Sequence, residues 1–159
     1  MQDKEILLFS DGSVNTKSKI GYGAYFFATR QEIEARQFDI KLKRFEQTSS
    51  TKLELQTLLY ALNEVQDFNC KIKVYTDSQN IIGLEGRRER LEKNNYRSSK
   101  NKLLNNYELY QEFYKLIDKL DCKFYKVQGH LKSNQKDDVD KLFAIVDRAS
   151  RKALRTNEH

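Results

Sequence analysis

The sequence predicts an α/β domain in which a mixed β-sheet is covered by helices. Two observations carry that expectation. Short strand-like apolar runs fill the first third of the chain, and at Thr51 the apolar spacing changes to a 3.6-residue period. From there strand and helix patterns alternate to the end, with no proline, internal repeat or low-complexity tract to divide the series. A chain of 159 residues with 38% hydrophobic content can fill one core, so a single domain over residues 1–159 is expected.

Ile6, Leu7, Leu8 and Phe9 form an apolar run ending at Asp11-Gly12-Ser13, the pattern of a central strand buried on both faces. Residues 21–27 are rich in aromatics and opened by turn residues, giving a second strand. Over 33–45 the chain alternates in part, with Phe38, Ile40 and Leu42 on one face and Asp39, Lys41 and Lys43 on the other. This predicts a third strand and an antiparallel meander.

Leu55, Leu58, Leu59, Leu62 and Val65 make the stripe of an amphipathic helix, which Asn69 helps to close. A strand follows over 71–76, and Asp77-Ser78 starts a helix running toward Leu84 and Leu91. Asn94, Asn95, Ser98, Ser99 and Asn101 mark a polar interruption. Residues 103–120 are again helical in period, 122–127 form a fifth strand, and 139–154 a final helix. Without proline, turns are expected to draw on Gly, Asn, Asp and Ser.

Cys70 and Cys122 are too few for a disulfide scaffold or a cysteine-rich zinc site, and read as buried thiols in a reducing compartment. No window holds 18 continuous apolar residues, and the N-terminus lacks the basic-then-apolar layout of a signal peptide. A soluble, cytoplasmic monomer with no membrane partner is expected. The net charge of +6 favours an anionic partner. The surplus is uneven: Arg87, Arg88, Arg90, Lys93, Arg97, Lys100 and Lys102 face only Glu89 and Glu92 across 87–102. That segment reads either as a phosphate-binding surface, where Tyr96 could stack, or as a solvated helix laced by pairs such as Glu89 with Lys93.

Four acids sit where strands end or helices begin. Asp11 precedes Gly12 and suits either a turn or a metal ligand. Glu54 closes the capping box Thr51-Lys52-Leu53-Glu54, yet also lies beside the buried stripe of its helix. Asp77 suits a helix N-cap as well as a catalytic carboxylate. Asp147 can pair with Arg151 one turn later. Each local reading is sufficient alone; the co-occurrence of all four is not accounted for by any of them.

Taken together, Ser10-Asp11-Gly12-Ser13 with Gly21-Tyr22-Gly23-Ala24, Leu53-Glu54-Leu55, Tyr75-Thr76-Asp77-Ser78-Gln79, Val127-Gln128-Gly129-His130 and Val146-Asp147-Arg148-Ala149-Ser150-Arg151-Lys152-Ala153 resemble the motifs of the ribonuclease H family, in its type 1 bacterial or phage-like branch. The resemblance spans nearly the whole chain. It implies a five-stranded mixed sheet, three antiparallel strands then two parallel, flanked by helices. It also implies an endoribonuclease that hydrolyses the RNA strand of RNA/DNA hybrids to 5′-phosphate and 3′-hydroxyl ends.

Two Mg²⁺ ions roughly 3.5–4 Å apart, with Mn²⁺ as a substitute, would activate the attacking water and neutralise the leaving 3′ oxygen in such an enzyme. By resemblance Asp11 bridges both ions, Asp77 and Asp147 each favour one, and Glu54 holds the ion near the leaving group and the ribose 2′-hydroxyl. His130 is implied as a proton shuttle or product-release aid. Metal should also stabilise the protein, because the acids otherwise repel one another.

Seventeen residues separate His130 from Asp147, with Asp137, Asp138 and Asp140 between them, so Asp140 is an alternative fourth ligand. Seven residues apart, Asp140 and Asp147 would lie about 20° apart around one helix and roughly 10 Å apart along it, so only one reaches the same metal. The residues following Asp147 match the family better. Ser13, Ser50, Thr51, Ser78 and Gln79 are implied along the substrate, hydroxyls standing at Ser49, Ser50 and Thr51 where many members carry Asn. Arg87, Arg88, Arg90, Lys93 and Arg97 are implied as the grip on the DNA strand. Two other readings remain: a nuclease of the same fold acting on DNA or structured RNA, and a hybrid-binding accessory protein without turnover.

Overall fold

The computed structural model describes residues 4–128 and 137–157. Strands β1 (Glu5–Asn15), β2 (Ile20–Ala28), β3 (Lys41–Phe45), β4 (Lys71–Thr76) and β5 (Asp121–Lys126) form one sheet in the order β3-β2-β1-β4-β5. The first three strands pair antiparallel and the last two join parallel, as expected. Helices are α1 (Arg30–Glu34), α2 (Ser50–Val65), α3 (Gln79–Ile82), α4 (Leu84–Lys93), α5 (Tyr107–Lys119) and α6 (Asp138–Thr156). Among the described residues no helix is long and apolar enough to cross a membrane.

β1 is central, and its run Ile6-Leu7-Leu8-Phe9 is buried on both faces. Leu8 packs with the stripe of α2 (Leu55, Leu58, Leu62) and with Phe113 and Leu116 of α5. Leu7 and Phe9 pack on the other side with Phe143 and Val146 of α6. Phe38, Phe26, Phe9, Tyr75 and Tyr125 stack in sequence across that second face, with successive ring centroids 4.5, 4.9, 4.8 and 5.3 Å apart. This aromatic ladder ties all four neighbouring segments to β1.

Several local expectations are corrected. The segment 33–45 is not one strand. Thr29 caps α1 by accepting from the Glu32 amide while Glu32 accepts from the Thr29 amide, a capping box, and only Lys41–Phe45 is extended. Phe38 and Ile40 do pack inward, whereas Leu42 is 52% exposed. β1 does not end at Asp11-Gly12: Gly12 pairs with Gly23 and the strand continues to Asn15, whose side chain accepts from the Lys17 and Ser18 amides to make the turn.

Glycine is used for contact rather than for turning. No described glycine has positive φ; Lys19, Arg36, Gln47, Asn69, Asn95, Tyr96 and Asn101 hold those positions. A Cβ on Gly12 or Gly21 would strike Leu53, and one on Gly23 would lie 1.9 Å from Thr57 Oγ1. The β1–β2 hairpin and α2 are thus pressed backbone to side chain, which brings Glu54 to the sheet. Tyr96 is not a surface stacking residue: it is 9% exposed and packs into the core beside Tyr114. Gly83 divides the predicted helix after Ser78 into α3 and α4.

Gly23→Ala should therefore lower the melting temperature by about 2–10 °C, from roughly 1–3 kcal/mol of overpacking. Adding Thr57→Ala should recover part of the loss in thermal denaturation; an unshifted Gly23→Ala melt would contradict the close approach.

Candidate active site

Register sets the first two acids side by side. Phe9 of β1 lies beside Tyr75 of the parallel strand β4, and two residues further on come Asp11 and Asp77. Glu54 enters from the second turn of α2. Carboxylate oxygens of Asp11, Glu54 and Asp77 lie within 4.8 Å of one another. Asp147 lies in mid-α6 rather than at the end of an element as expected, and comes within hydrogen-bonding reach of Asp11 from the other face of the sheet.

The cost of this convergence appears in the protonation of the acids. Asp11 is 8% exposed, and its carboxyl is pushed up to about 8, first by burial, then by the charges of Asp77 and Asp147, with the Gly12 amide pulling partly the other way. Glu54 is also pushed up, chiefly by burial and in part by Asp77, while a hydrogen bond from Ser78 lowers it. Four carboxyl side chains drawn together, with no His or Cys among them, fit hard divalent cations such as Mg²⁺ or Mn²⁺.

The surrounding contacts fix these side chains. Ser78, not Asp77, caps α3, accepting from the Ile81 amide at 3.2 Å, and its hydroxyl also serves Glu54. The helix start at Thr51 is likewise displaced: Ser49 is the cap, accepting from the Lys52 amide at 3.3 Å, so Glu54 is not held in a capping box. Arg151 Nε lies 2.9 Å from Asp147 Oδ1, the pairing anticipated from sequence. Buried Ser150 donates to the Asp147 carbonyl at 3.0 Å and meets Ser13 Oγ at 3.1 Å, pinning α6 to β1 beside the acids. Because Ser150 spends its proton on the carbonyl, Ser13 is the donor between the two hydroxyls.

Asp140 is engaged elsewhere. It forms a reciprocal capping box with Asp137 at the start of α6, through bonds of 2.8 and 3.2 Å. Gln79 Oε1 accepts from Lys126 Nζ at 2.7 Å, and Ser50 and Thr51 stand exposed in the first turn of α2. His130 lies outside the described residues.

The basic segment divides into two roles. Arg88 binds Asp118 of α5 through two bonds of 2.6 and 2.8 Å, pairs with Glu92, and lies over the Tyr114 ring, so it braces α4 on α5. Arg87, Arg90 and Arg97, with Asn94, Ser98 and Ser99, line a recess of about 500 Å³. Lys93 is exposed nearby on α4. Sequence reasoning missed the roles of Ser150 and Lys126. Ser150 had a signal, since a hydroxyl stands in the buried stripe Val146, Ser150, Ala153 and requires a partner there.

Comparisons place this geometry among known proteins. The family model described as RNase H matches residues 3–148. A ribonuclease H of Clostridium botulinum is 26% identical over 147 residues, covering 87% of this chain and 93% of that protein. The solution structure of the PFV RNase H domain superposes with a TM-score of 0.74 at 15% identity, covering 98% of this chain and 97% of that one. A foamy viral protease-reverse transcriptase solved with an RNA/DNA hybrid gives 0.74 at 10% identity, covering 97% of this chain and 20% of that one. Since the match runs from before β1 to the residue after Asp147, the chain belongs to the ribonuclease H family.

Proposed function

We propose that this chain is an endoribonuclease that hydrolyses the RNA strand of RNA/DNA hybrids, leaving 5′-phosphate and 3′-hydroxyl ends. The observation that carries this reading is the meeting of Asp11, Glu54 and Asp77 within 4.8 Å, with Asp147 against Asp11. Relatives named ribonuclease H, and a structural neighbour solved on an RNA/DNA hybrid, support the substrate.

Asp11, Glu54, Asp77 and Asp147 would hold two Mg²⁺ ions, or Mn²⁺ in their place. Bound there, they would make water nucleophilic and neutralise the charge on the leaving oxygen. The protein's own contribution is position. Ser78 orients Glu54, Arg151 and the Ser13–Ser150 contact orient Asp147, and Lys126 holds Gln79 next to Ser78 at the mouth of the site. Exposed Ser50 and Thr51 offer hydroxyls to phosphate or 2′-OH. Arg87, Arg90 and Arg97 receive a phosphate backbone in their recess, with Lys93 at its margin. Arg88 is assigned to bracing instead. All four acids come from one chain, so a monomer suffices. Cys70 and Cys122 are unpaired and half-buried rather than fully buried, and free thiols suit a reducing compartment such as the cytoplasm.

The first test is cleavage of end-labelled RNA in matched RNA/DNA, RNA/RNA and DNA/DNA duplexes with Mg²⁺, Mn²⁺ or EDTA. Cutting should be confined to the hybrid and lost in EDTA; preference for another duplex would keep the family and overturn the substrate. Asp77→Asn should abolish cleavage while leaving the melting temperature within a few degrees, and undiminished turnover would refute the site as drawn.

Asp147→Ala should cost far more activity than Asp140→Ala, which should instead cost about 1 kcal/mol of stability, because the Asp140 carboxylate accepts from the Asp137 amide at the start of α6. The reverse ranking would move the fourth ligand.

Asp11 binds its proton more tightly folded than unfolded, so in EDTA the folded state should lose stability as pH rises from about 4 toward about 8. Mg²⁺ should restore the melting temperature most at the alkaline end, and Asp11→Asn should flatten both responses. A metal-free melting temperature that climbs across this interval would contradict the electrostatics described.

A further inference from the structure

Beyond Asp147, α6 reads Arg148, Ala149, Ser150, Arg151, Lys152, Ala153, Leu154, Arg155, four cations in eight residues with no acid among them. Ser150 and Ala153 are buried against the sheet, whereas Arg148, Arg151, Lys152 and Arg155 are exposed. Their spacing of three, four and seven residues places them in one stripe along the helix. Arg151 is paired with Asp147. Arg148, Lys152 and Arg155 have no acidic partner among the described residues.

The helix dipole accounts for only part of this pattern. Cations complement the dipole in the last turn, where Arg155 sits, but Arg148 lies two turns before the end at Thr156. Among the described residues nothing calls for Arg148 and Lys152 on the same line.

The stripe has a direction. α6 runs alongside β1: Leu142 packs with Leu7 in one cluster, Asp147 meets Asp11, and Ser150 meets Ser13. That line leads toward the β1–β2 turn, where Lys17 and Lys19 are exposed and Asn15 holds the backbone by accepting from two amides. The arginine recess of α4 belongs to the α5 side of the sheet, and the stripe to the α6 side. The acids lie between the two basic surfaces.

We propose that Arg148, Lys152 and Arg155, continued by Lys17 and Lys19, form a second phosphate track on the α6 side of the acids. A nucleic-acid duplex is then gripped on both sides of the scissile bond. The inference rests on the nuclease reading above and adds a surface that the four acids and the α4 recess do not include. From Arg148 to Arg155 the stripe is about 10 Å long, roughly the axial rise of three nucleotides in one strand. It therefore suits two or three phosphates, held by charge without base readout.

The test uses hybrid binding by the full chain in an Asp77→Asn background, so that the RNA stays intact. Arg148, Lys152 and Arg155 are changed together to Gln, and Arg151 is retained because it holds Asp147. Between 50 and 200 mM salt, the slope of log affinity against log salt should become shallower by about two to three, and affinity should fall about tenfold or more. Lys152→Gln alone should flatten the slope by about 0.9. On hybrids trimmed from one end or the other, the unsubstituted protein should lose affinity in both cases and the triple variant in only one.

An unchanged slope with a lowered melting temperature would assign the stripe to helix stability and overturn the track. An unchanged slope and melting temperature would make it solvated surface, with the same consequence. If the unsubstituted protein neither binds nor cuts hybrid, the nuclease reading fails first and the track with it.

Discussion

A carboxylate buried on the central strand is the constraint around which this molecule is arranged. Asp11 is enclosed between β2, β4 and α6, and its neighbours Asp77 and Asp147 add like charge to the cost of burial. A core does not adopt such a cluster for stability, since apolar residues would fill the same space without penalty. The surrounding packing must over-determine it. Backbone pairing fixes Asp11 and Asp77 at matching depths, the close approach at Gly23 and Thr57 holds α2, and Ser13 with Ser150 holds α6.

The two faces of the sheet divide the work. The α2–α5 side builds the larger core and braces α4 through Arg88 and through Tyr114, whose hydroxyl donates to the Leu84 carbonyl at 2.6 Å. A cation-rich helix is rigid there because its most engaged arginine is used for attachment rather than for ligand. The α6 side is thinner and is held by the aromatic ladder through Phe9. Rigid side chains with few torsions suit a layer that must place one carboxylate accurately.

Much of this was legible in the sequence because it depends on period and order. The strand count, the α2 stripe and the turn at Asn69 follow from local patterns in the right succession, whereas Asp11, Glu54 and Asp77, which meet, were singled out by resemblance to family motifs. What was misread depends on competition between neighbouring signals. Alternation at Phe38, Ile40 and Leu42 outweighed the capping box Thr29–Glu32, although that box was present in the residues. Thr51 and Asp77 looked like caps, but Ser49 and Ser78 stood nearby and took the role, freeing Glu54 and Asp77 for the cluster. Arg88 and Tyr96 could not be sorted from their basic neighbours, because their partners Asp118 and Tyr114 lie a helix away in sequence.

The charge layout resolves a conflict that the acids alone would create. A cluster of carboxylates repels a polyanion, and a chain with that site and no counterweight would drive its own substrate away. Here the net charge is +6, and cations are concentrated in two places, across the segment 87–102 and on the exposed stripe of α6, rather than spread evenly. Cations at the margins attract phosphate while the acids at the centre are left for metal, and among the described residues Arg151 pairs with Asp147 at the edge of the site. That pairing restrains Asp147 without relieving Asp11, whose carboxyl is pushed up furthest in the cluster and has most to gain when a divalent cation arrives.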